Sequence, residues 1–330
     1  MNIEPLRWGI LSTAHINIKV LTGAGLTEAA DVRAVASRDA ERADGFARHW
    51  SIPHFYGSYE ELLADDDIEA VYVPLPNALH HPWTMRALAA GKHVLCEKPY
   101  SRDPDLVAEA FDLAEASGLV LSEAYMYRYH PQMRRLAAVV ADGAIGELRL
   151  INSSFTWPTN APGDIRLDPD LEGGSLLDVG CYCVSAARLL AGEPSAATAD
   201  WVVGPTGVEV RIVGSLRFGG DVQLHFDSGF HLPDRSWLEV VGSDGWIRVR
   251  DPWHGVNAAL EINGQGQETT VESFAGVNPY QLELDEFAMA VRGRPSSALG
   301  RRDAFGQAIA LDALYRAAEE GRTVAVSSAA

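Results

Sequence analysis

The sequence predicts an α/β domain on a doubly wound parallel sheet, followed by an α+β domain on a mostly antiparallel sheet. Three observations predict it. Over residues 1–123, short aliphatic runs alternate with amphipathic helical stretches. Over residues 124–330 that grammar gives way to a long series of alternating strand patterns. At 330 residues the chain is also long for a single domain. The domain boundary is expected at 123/124.

In the first half, strands are expected at 6–11, 32–37, 70–74, 93–96 and 119–122. Each is short, aliphatic or β-branched and bounded by turn residues, as buried parallel strands should be. Ser58-Tyr59-Glu60-Glu61 reads as a capping box opening a helix over 59–64. Gly91 closes a helix over 82–90. Asp103-Pro104 opens another with a cap residue and a proline, and Gly118 ends it. In the second half a glycine-led helix over 175–190 precedes strands at 198–203, 208–218, 221–227, 237–241, 246–250, 260–263 and 269–273. Gly219-Gly220 and Ser243-Asp244-Gly245 mark antiparallel hairpins. Helices over 280–291 and 302–320 close the chain.

Hydrophobic residues make up 47% of the chain and charged residues 22%, which suits a buried core and not disorder. Lys and Arg total 27 against 45 Asp and Glu, a net charge of -18. That balance repels nucleic-acid phosphates and anionic lipid, so neither is expected as a partner. Cys96, Cys181 and Cys183 form no disulfide framework and no zinc pattern; they are expected as buried reduced thiols, with no metal site. Residues 1–7 carry no leader pattern, and no run approaches the ~20 apolar residues of a membrane span. A soluble, cytoplasmic protein is expected.

Four segments carry chemistry. After the first strand, Leu11-Ser12-Thr13-Ala14-His15-Ile16-Asn17 stands where a dinucleotide-binding turn brings backbone N–H groups to a pyrophosphate. The usual fingerprint has glycines where this chain has Ser12, Ala14 and Asn17. Small residues at 12 and 14 permit close approach, and the Ser12 and Thr13 hydroxyls are candidate phosphate donors. An ordinary strand–helix turn fits these residues equally well. The second strand ends in Ser37-Arg38-Asp39, with Arg42 beyond, where a chain selective for NAD often has an acid on the ribose. Serine and arginine suit a 2′-phosphate, so NADP is preferred over NAD. The alternative is Asp39 as a helix cap with both arginines solvated.

Pro74-Leu75-Pro76-Asn77 and Glu97-Lys98-Pro99 follow two further strands, beyond whose carboxyl ends an open α/β sheet has its cleft. Lys98 there suits a proton donor or an electrostatic partner for a substrate oxygen; a Glu97–Lys98 surface pair is the plainer alternative. Finally, Asp178 and Tyr182 lie four apart in Gly173-Gly174-Ser175-Leu176-Leu177-Asp178-Val179-Gly180-Cys181-Tyr182, about one helical turn. A phenol and a carboxylate so placed can share a proton with a carbinol. On these residues alone, a core tyrosine and a dipole-offsetting aspartate is the favoured reading.

Together the segments resemble the Gfo/Idh/MocA family of oxidoreductases. The likeness rests on Trp8 through Ala14, Pro76-Asn77 with His80, Gly91 through Pro99, Glu123-Ala124-Tyr125-Met126-Tyr127-Arg128-Tyr129-His130-Pro131, and Gly173 through Tyr182. These run in family order over nearly the whole chain, and Glu97-Lys98-Pro99 is the most specific. The resemblance implies an N-terminal Rossmann domain, a C-terminal open-faced sheet and a nicotinamide cofactor. It implies cofactor contacts from Ser12, Thr13, Ala14, His15, Ile16, Ser37, Arg38, Arg42, Pro74, Leu75, Pro76, Asn77, His80, Glu97, Lys98 and Arg128. It assigns the substrate's proton to Lys98 and the group at 182, with Asp178 in the same site. Many members have histidine at 182; Tyr182 is similar to the glucose–fructose oxidoreductase and dihydrodiol dehydrogenase branches. The lost fingerprint glycines are the main departure.

The function expected is NAD(P)-dependent hydride transfer at a carbinol or carbonyl carbon of a sugar or cyclic polyol. Trp157, Arg166, Asp178, Tyr182 and Lys98 are the candidate substrate contacts, with Asp164 and His231 as possible additions. A dehydrogenase of a non-sugar diol is the near alternative, and a non-catalytic NADP-binding redox sensor the distant one. A sensor has no use for the set Lys98, Asp178 and Tyr182. A homodimer or homotetramer is expected, through residues 198–273.

Overall fold

The computed structural model describes residues 4–266 and 268–326. Six strands, β1 (Leu6–Leu11), β2 (Ala30–Ala36), β3 (His54–Tyr56), β4 (Ala70–Val73), β5 (His93–Glu97) and β6 (Leu121–Ala124), alternate with α1 (Asn17–Ala24), α2 (Ala40–Trp50), α3 (Tyr59–Leu63), α4 (His80–Ala89) and α5 (Pro104–Ala116). Then come α6 (Pro131–Ala141), β7 (Leu148–Thr156) and α7 (Cys181–Ala191), which a π-helical turn, Leu176–Gly180, precedes. The strands β8 (Ala196–Val203), β9 (Glu209–Arg217), β10 (Gln223–Gly229), β11 (Arg235–Gly242), β12 (Trp246–Arg250), β13 (Ala259–Asn263) and β14 (Thr270–Ser273) follow. The order closes with α8 (Pro279–Val291), α9 (Arg301–Glu320) and β15 (Val324–Ala325).

The chain divides into two compact units: residues 1–129 with 278–304, and residues 130–277 with 305–330. The first holds a six-stranded parallel sheet in the order β3-β2-β1-β4-β5-β6. The order reverses between β1 and β4, and at such a switch point an open α/β sheet leaves a crevice beyond its strand ends. The local grammar holds in detail. Asp103 caps α5 through the Asp105 amide, and Gly91 and Gly118 take positive φ after their helices. The Ser58 box is offset by one residue: Ser58 accepts from the Glu61 amide, but the Glu61 carboxylate accepts from Gly57.

One expectation fails here. Residues 278–304, read as part of the second domain, cluster with the first unit. The cause is α8, which packs on α1 through close contact of Gly23 with Tyr280 and Gln281. Phe287 lies against Trp8, ring centroids 5.1 Å apart, and Arg292 pairs with Glu69 at 2.9 Å. Such contacts join residues far apart in sequence, so no local pattern announces them.

The second unit holds a nine-stranded sheet in the order β14-β13-β12-β11-β7-β10-β9-β8-β15. Its pairs are antiparallel except β7 with β10. The π turn and α7 pack against the central strands on one face, where Ile212, Leu216, Leu224, Phe226, Leu238 and Val240 are buried. On the other face Val213 (54% exposed) and Trp237 stand among ion pairs Arg235–Asp227, Arg248–Glu239 and Arg250–Glu261. That face is therefore a mixture of exposed apolar side chains and ion pairs. Contrary to the sequence reading, Pro169–Ala191 does match a membrane span in length and hydropathy, but 78% of its apolar window is buried inside the protein. It is a core segment.

Candidate functional site

In the first unit, β1 runs into the turn at Ser12 through Ile16. Ser12 takes φ +153°, a conformation that favours glycine, at the position where the fingerprint has its first glycine. Side chains hold it there. The Ser12 hydroxyl donates to the Pro74 carbonyl (3.1 Å) and accepts from the Ala14 amide (3.1 Å). The Asn17 amide group donates to the Ser12 carbonyl at 2.7 Å. The Ser12 hydroxyl thereby joins β1 to β4 at the switch point. Small residues at Ala14 and the N-terminus of α1 leave room for close approach to the turn.

At the end of β2, Ser37 is buried and accepts from the Asp39 amide, while Asp39 caps α2 by accepting from the Glu41 and Arg42 amides. The helix-cap reading of Asp39 is right, and it leaves serine and arginine at the strand end. Arg38 hydrogen-bonds Tyr59; burial raises that phenol's pKa, and the nearby Arg38 and Arg42 charges pull it back. This donor set fits a nicotinamide dinucleotide with a phosphorylated ribose better than one with free ribose hydroxyls.

Beyond β4 and β5 the loops at Pro74–Asn77 and Lys98–Pro99 are joined by His80, which is 1% exposed. Its ring nitrogens contact the Leu75 carbonyl at 2.8 Å and the Pro99 carbonyl at 2.9 Å. Burial lowers its pKa to about 4, only partly offset by those carbonyls; a neutral ring has one N–H and can donate to only one of the two. Sequence reasoning assigned His80 to the cofactor; its visible work is to tie two loops together, one of which carries Lys98. Behind Lys98, Glu97 accepts from the Tyr72 hydroxyl and the Lys98 amide. Glu283 of α8 lies fully buried near Glu97, and burial first, then the Glu97 charge, raise its carboxyl well above the usual range. Sequence reasoning missed Glu283 because it stands alone in an otherwise ordinary helix. Arg128, expected near the cofactor, is ion-paired with Asp303 at 3.3 Å.

In the second unit the glycine-led segment is shaped by what surrounds it. A Cβ on Gly173 would sit 2.4 Å from the Arg166 carbonyl, and one on Gly174 (φ +132°) would sit 2.6 Å from Glu209 Oε1. The segment continues as a π turn, closed by the Cys181 amide donating to the Leu176 carbonyl. Such turns are rare and recur at functional sites. Asp178 lies on it and receives Arg166 Nε at 3.0 Å. Arg166 also binds Asp164 at 3.2 Å and lies 5.1 Å from the centre of the Trp157 ring. Burial lowers the Arg166 pKa, but the Asp178 and Asp164 charges more than restore it. Tyr182 is 7% exposed and packs on Phe155 and Trp253, ring centroids 5.5 and 5.8 Å away. His231 lines a separate cavity of about 800 Å³ with Asp164 and Phe230.

The structure thus gathers Trp157, Asp164, Arg166, Asp178 and Tyr182 within one unit, and gathers the cofactor-side residues around the strand ends of the other. The cluster offers a guanidinium, two carboxylates, a phenol and an indole, the groups that bind and deprotonate a polyhydroxylated molecule.

Comparison with known proteins agrees. Residues 9–125 match the family described as Oxidoreductase family, NAD-binding Rossmann fold, and residues 133–248 match the GFO/IDH/MocA C-terminal domain. D-xylose 1-dehydrogenase (NADP(+)) 2 of Haloferax volcanii is 39% identical over 97% of this chain and 99% of its own. Trans-1,2-dihydrobenzene-1,2-diol dehydrogenase of Mus musculus is 34% identical over 80% of this chain and 79% of its own. A crystal structure of a 3-ketoreductase from Actinomadura kijaniata in complex with NADP and TDP-benzene superposes with TM-score 0.88 at 31% identity, covering 95% of this chain and 98% of that one.

The serine turn yields a prediction. Ser12→Ala keeps the unfavourable φ and loses both hydroxyl bonds, and is expected to lower stability by about 2 kcal/mol. Ser12→Gly relieves the φ and should lose less than about 1 kcal/mol. Urea unfolding of both variants checks this; equal losses would show that the backbone strain is not real.

Proposed function

The chain belongs to the Gfo/Idh/MocA family of NAD-binding oxidoreductases, and from that premise we propose that it is an NADP-dependent dehydrogenase acting on a carbinol of a sugar or cyclic polyol. The observation that carries the substrate class is the cluster of Arg166, Asp178, Asp164 and Trp157 in the unit that holds Tyr182. Carboxylates and a guanidinium recognise several hydroxyls at once, and an indole suits the apolar face of a sugar ring. The 39%-identical xylose dehydrogenase and the NADP-bound ketoreductase support the same reading. A cytoplasmic location belongs to it as well, since three buried thiols suit a reducing compartment.

When bound, the nicotinamide accepts or returns the hydride at the carbinol carbon. The chain's own residues do the rest. The turn at residues 12–16 receives the pyrophosphate, and Ser37 and Arg38 receive the ribose phosphate. Tyr182 exchanges the hydroxyl proton, and Lys98 holds the same oxygen as it changes between hydroxyl and carbonyl. Asp178, braced by Arg166, orients the neighbouring hydroxyls. Solved structures of the ketoreductase include single replacements of a lysine and a tyrosine that stand as far apart in its chain as Lys98 and Tyr182 do here.

Three outcomes are expected. Fluorescence titration should find NADP bound more tightly than NAD, with Arg38→Ala losing affinity selectively for NADP; equal wild-type affinities would refute the preference. A panel of D-xylose, D-glucose, myo-inositol and trans-1,2-dihydrobenzene-1,2-diol, followed by nicotinamide absorbance, should show turnover of a sugar or polyol. Turnover of the dihydrodiol alone favours the diol reading, and no turnover of any compound favours a sensor. In single-turnover hydride transfer Tyr182→Phe and Lys98→Met should each lose about 100-fold or more with cofactor affinity intact. A wild-type rate in Tyr182→Phe would make the phenol a packing residue.

We also propose a dimer, or a pair of dimers, formed through the exposed sheet face of residues 198–273. Val213 and Trp237 supply its apolar centre, and the ion pairs around them a polar rim. Light scattering at micromolar concentration should give at least twice the 35.7 kDa of one chain; a monomer overturns it.

A further inference from the structure

Glu209 is the least expected residue in the second unit. It opens β9, is 4% exposed, and forms no salt bridge among the described residues. Its carboxylate accepts from the Ser175 amide at 2.5 Å and the Leu176 amide at 2.8 Å, and from the Tyr315 hydroxyl of α9 at 3.2 Å. Burying a carboxylate without a counter-ion is costly unless hydrogen bonds compensate it. Here the compensation comes from backbone N–H groups at a helical N-terminus, which have no partner within their own helix.

The surroundings are built for this contact. Gly174 bears no side chain where a Cβ would meet Glu209 Oε1 at 2.6 Å. The Ser175 hydroxyl lies 3.2 Å from that of Ser228, and Gly180 passes so close to Ser228 that a Cβ would come within 2.7 Å of its Oγ. Tyr315 is itself held by Trp201, ring centroids 5.8 Å apart. The segment so gripped carries Asp178 within the π turn and Tyr182 one residue after Cys181, where α7 starts. A π turn has one more residue per hydrogen-bonded ring than an α turn, so its start must be pinned to keep the following side chains aimed.

We propose that Glu209 is a positioning residue: its carboxylate anchors the first amides of the π turn and so sets the aim of Asp178 and Tyr182 toward the substrate. It touches neither substrate nor cofactor. The inference deepens the dehydrogenase reading and, for its kinetic arm only, rests on it. The groups facing Glu209 are the Ser175 and Leu176 amides, the Ser175 hydroxyl and the Tyr315 hydroxyl. Burial pushes the Glu209 carboxyl up to about 7 although these donors pull it down. The folded state therefore holds this proton more tightly than the unfolded chain, and the group's contribution to stability falls as pH rises from the usual carboxyl range to about 7.

The test has two arms. In wild-type protein, hydrogen exchange should show the Ser175 and Leu176 amides protected like core amides, because first-turn amides ordinarily exchange fast. Rapid exchange there overturns the proposal without any variant. In Glu209→Gln and Glu209→Asp, exchange over residues 175–182 should quicken at least tenfold while the β-sheet amides keep their wild-type rates. For whichever sugar the panel identifies, KM should rise about tenfold and kcat fall, with NADPH affinity within twofold of wild type. Tyr315→Phe, which keeps both amide bonds, should hold KM within twofold. If a folded Glu209 variant has wild-type KM and wild-type exchange over 175–182, the carboxyl is only a buried structural group. If no sugar is turned over, the dehydrogenase reading fails, and the exchange arm still decides the role of Glu209.

Discussion

Buried backbone groups must be paired, and the loops that carry the candidate reacting residues are held by side chains that meet this demand. A helix or strand pairs its own amides and carbonyls, but the bend at its end does not. The Ser12 hydroxyl closes the bend after β1 by bonding Pro74 and Ala14. His80 packs between the carbonyls of Leu75 and Pro99 and gives its ring N–H to one of them, beside Lys98. Glu209 takes up the amides at the start of the π turn. Gln132 donates to the carbonyls of Arg250 and Ala259, and Gln307 to that of Cys181 in the first turn of α7. Each bond is worth only about 1 kcal/mol net, but an unpaired buried partner costs more, so the loops have few alternative shapes. Rigid loops are what a hydride transfer between two bound molecules requires, since small misplacements cost large factors in rate.

Charge obeys a similarly local rule. A net charge of -18 would seem unsuited to an anionic cofactor. Yet exposed charges are screened over about 8 Å at physiological salt, so only the nearest groups count. At the end of β2 the Asp39 carboxylate is taken up by the amides of residues 41 and 42. Arg38 and Arg42 then dominate the local field, as their influence on Tyr59 records.

These features differ in how far the sequence displays them. The parallel strands were legible because a strand buried on both faces is apolar almost throughout, as β4 is and as β1 is apart from Arg7. Strand β7 was not legible, although it is central. Its Asn152, Ser153 and Ser154 look like a loop, and the buried serines are tolerated only because they bond Trp237 and Asp227 on neighbouring strands. Helix α6 hid behind an unusual cap, His130, whose ring nitrogen accepts from Gln132. The candidate reacting residues stood out because their motifs are compact and ordered along the chain. Their supports did not: Glu209 and Glu283 are single acids in ordinary elements. Strict alternation would put Glu209, three residues before the inward-facing Ile212, on the outer face, and only a register shift opposite Val202 and Val203 turns it inward.

The π turn shows why a motif can be read while its geometry cannot. Leu176 through Gly180 has nothing in its composition that separates it from an α-helix, and the four-residue spacing of Asp178 and Tyr182 suggests one shared stripe. The widened turn alters that stripe. It leaves Asp178 to the Arg166 guanidinium, while Tyr182 enters the aromatic group of Phe155 and Trp253. The carboxylate is thereby bound by a cation and faces the polar group of Arg166 and Asp164. The Tyr182 ring packs against two aromatic neighbours and is 7% exposed. Two residues one turn apart thus stand in different surroundings, on a segment whose first amides donate to a carboxyl from a strand more than thirty residues away.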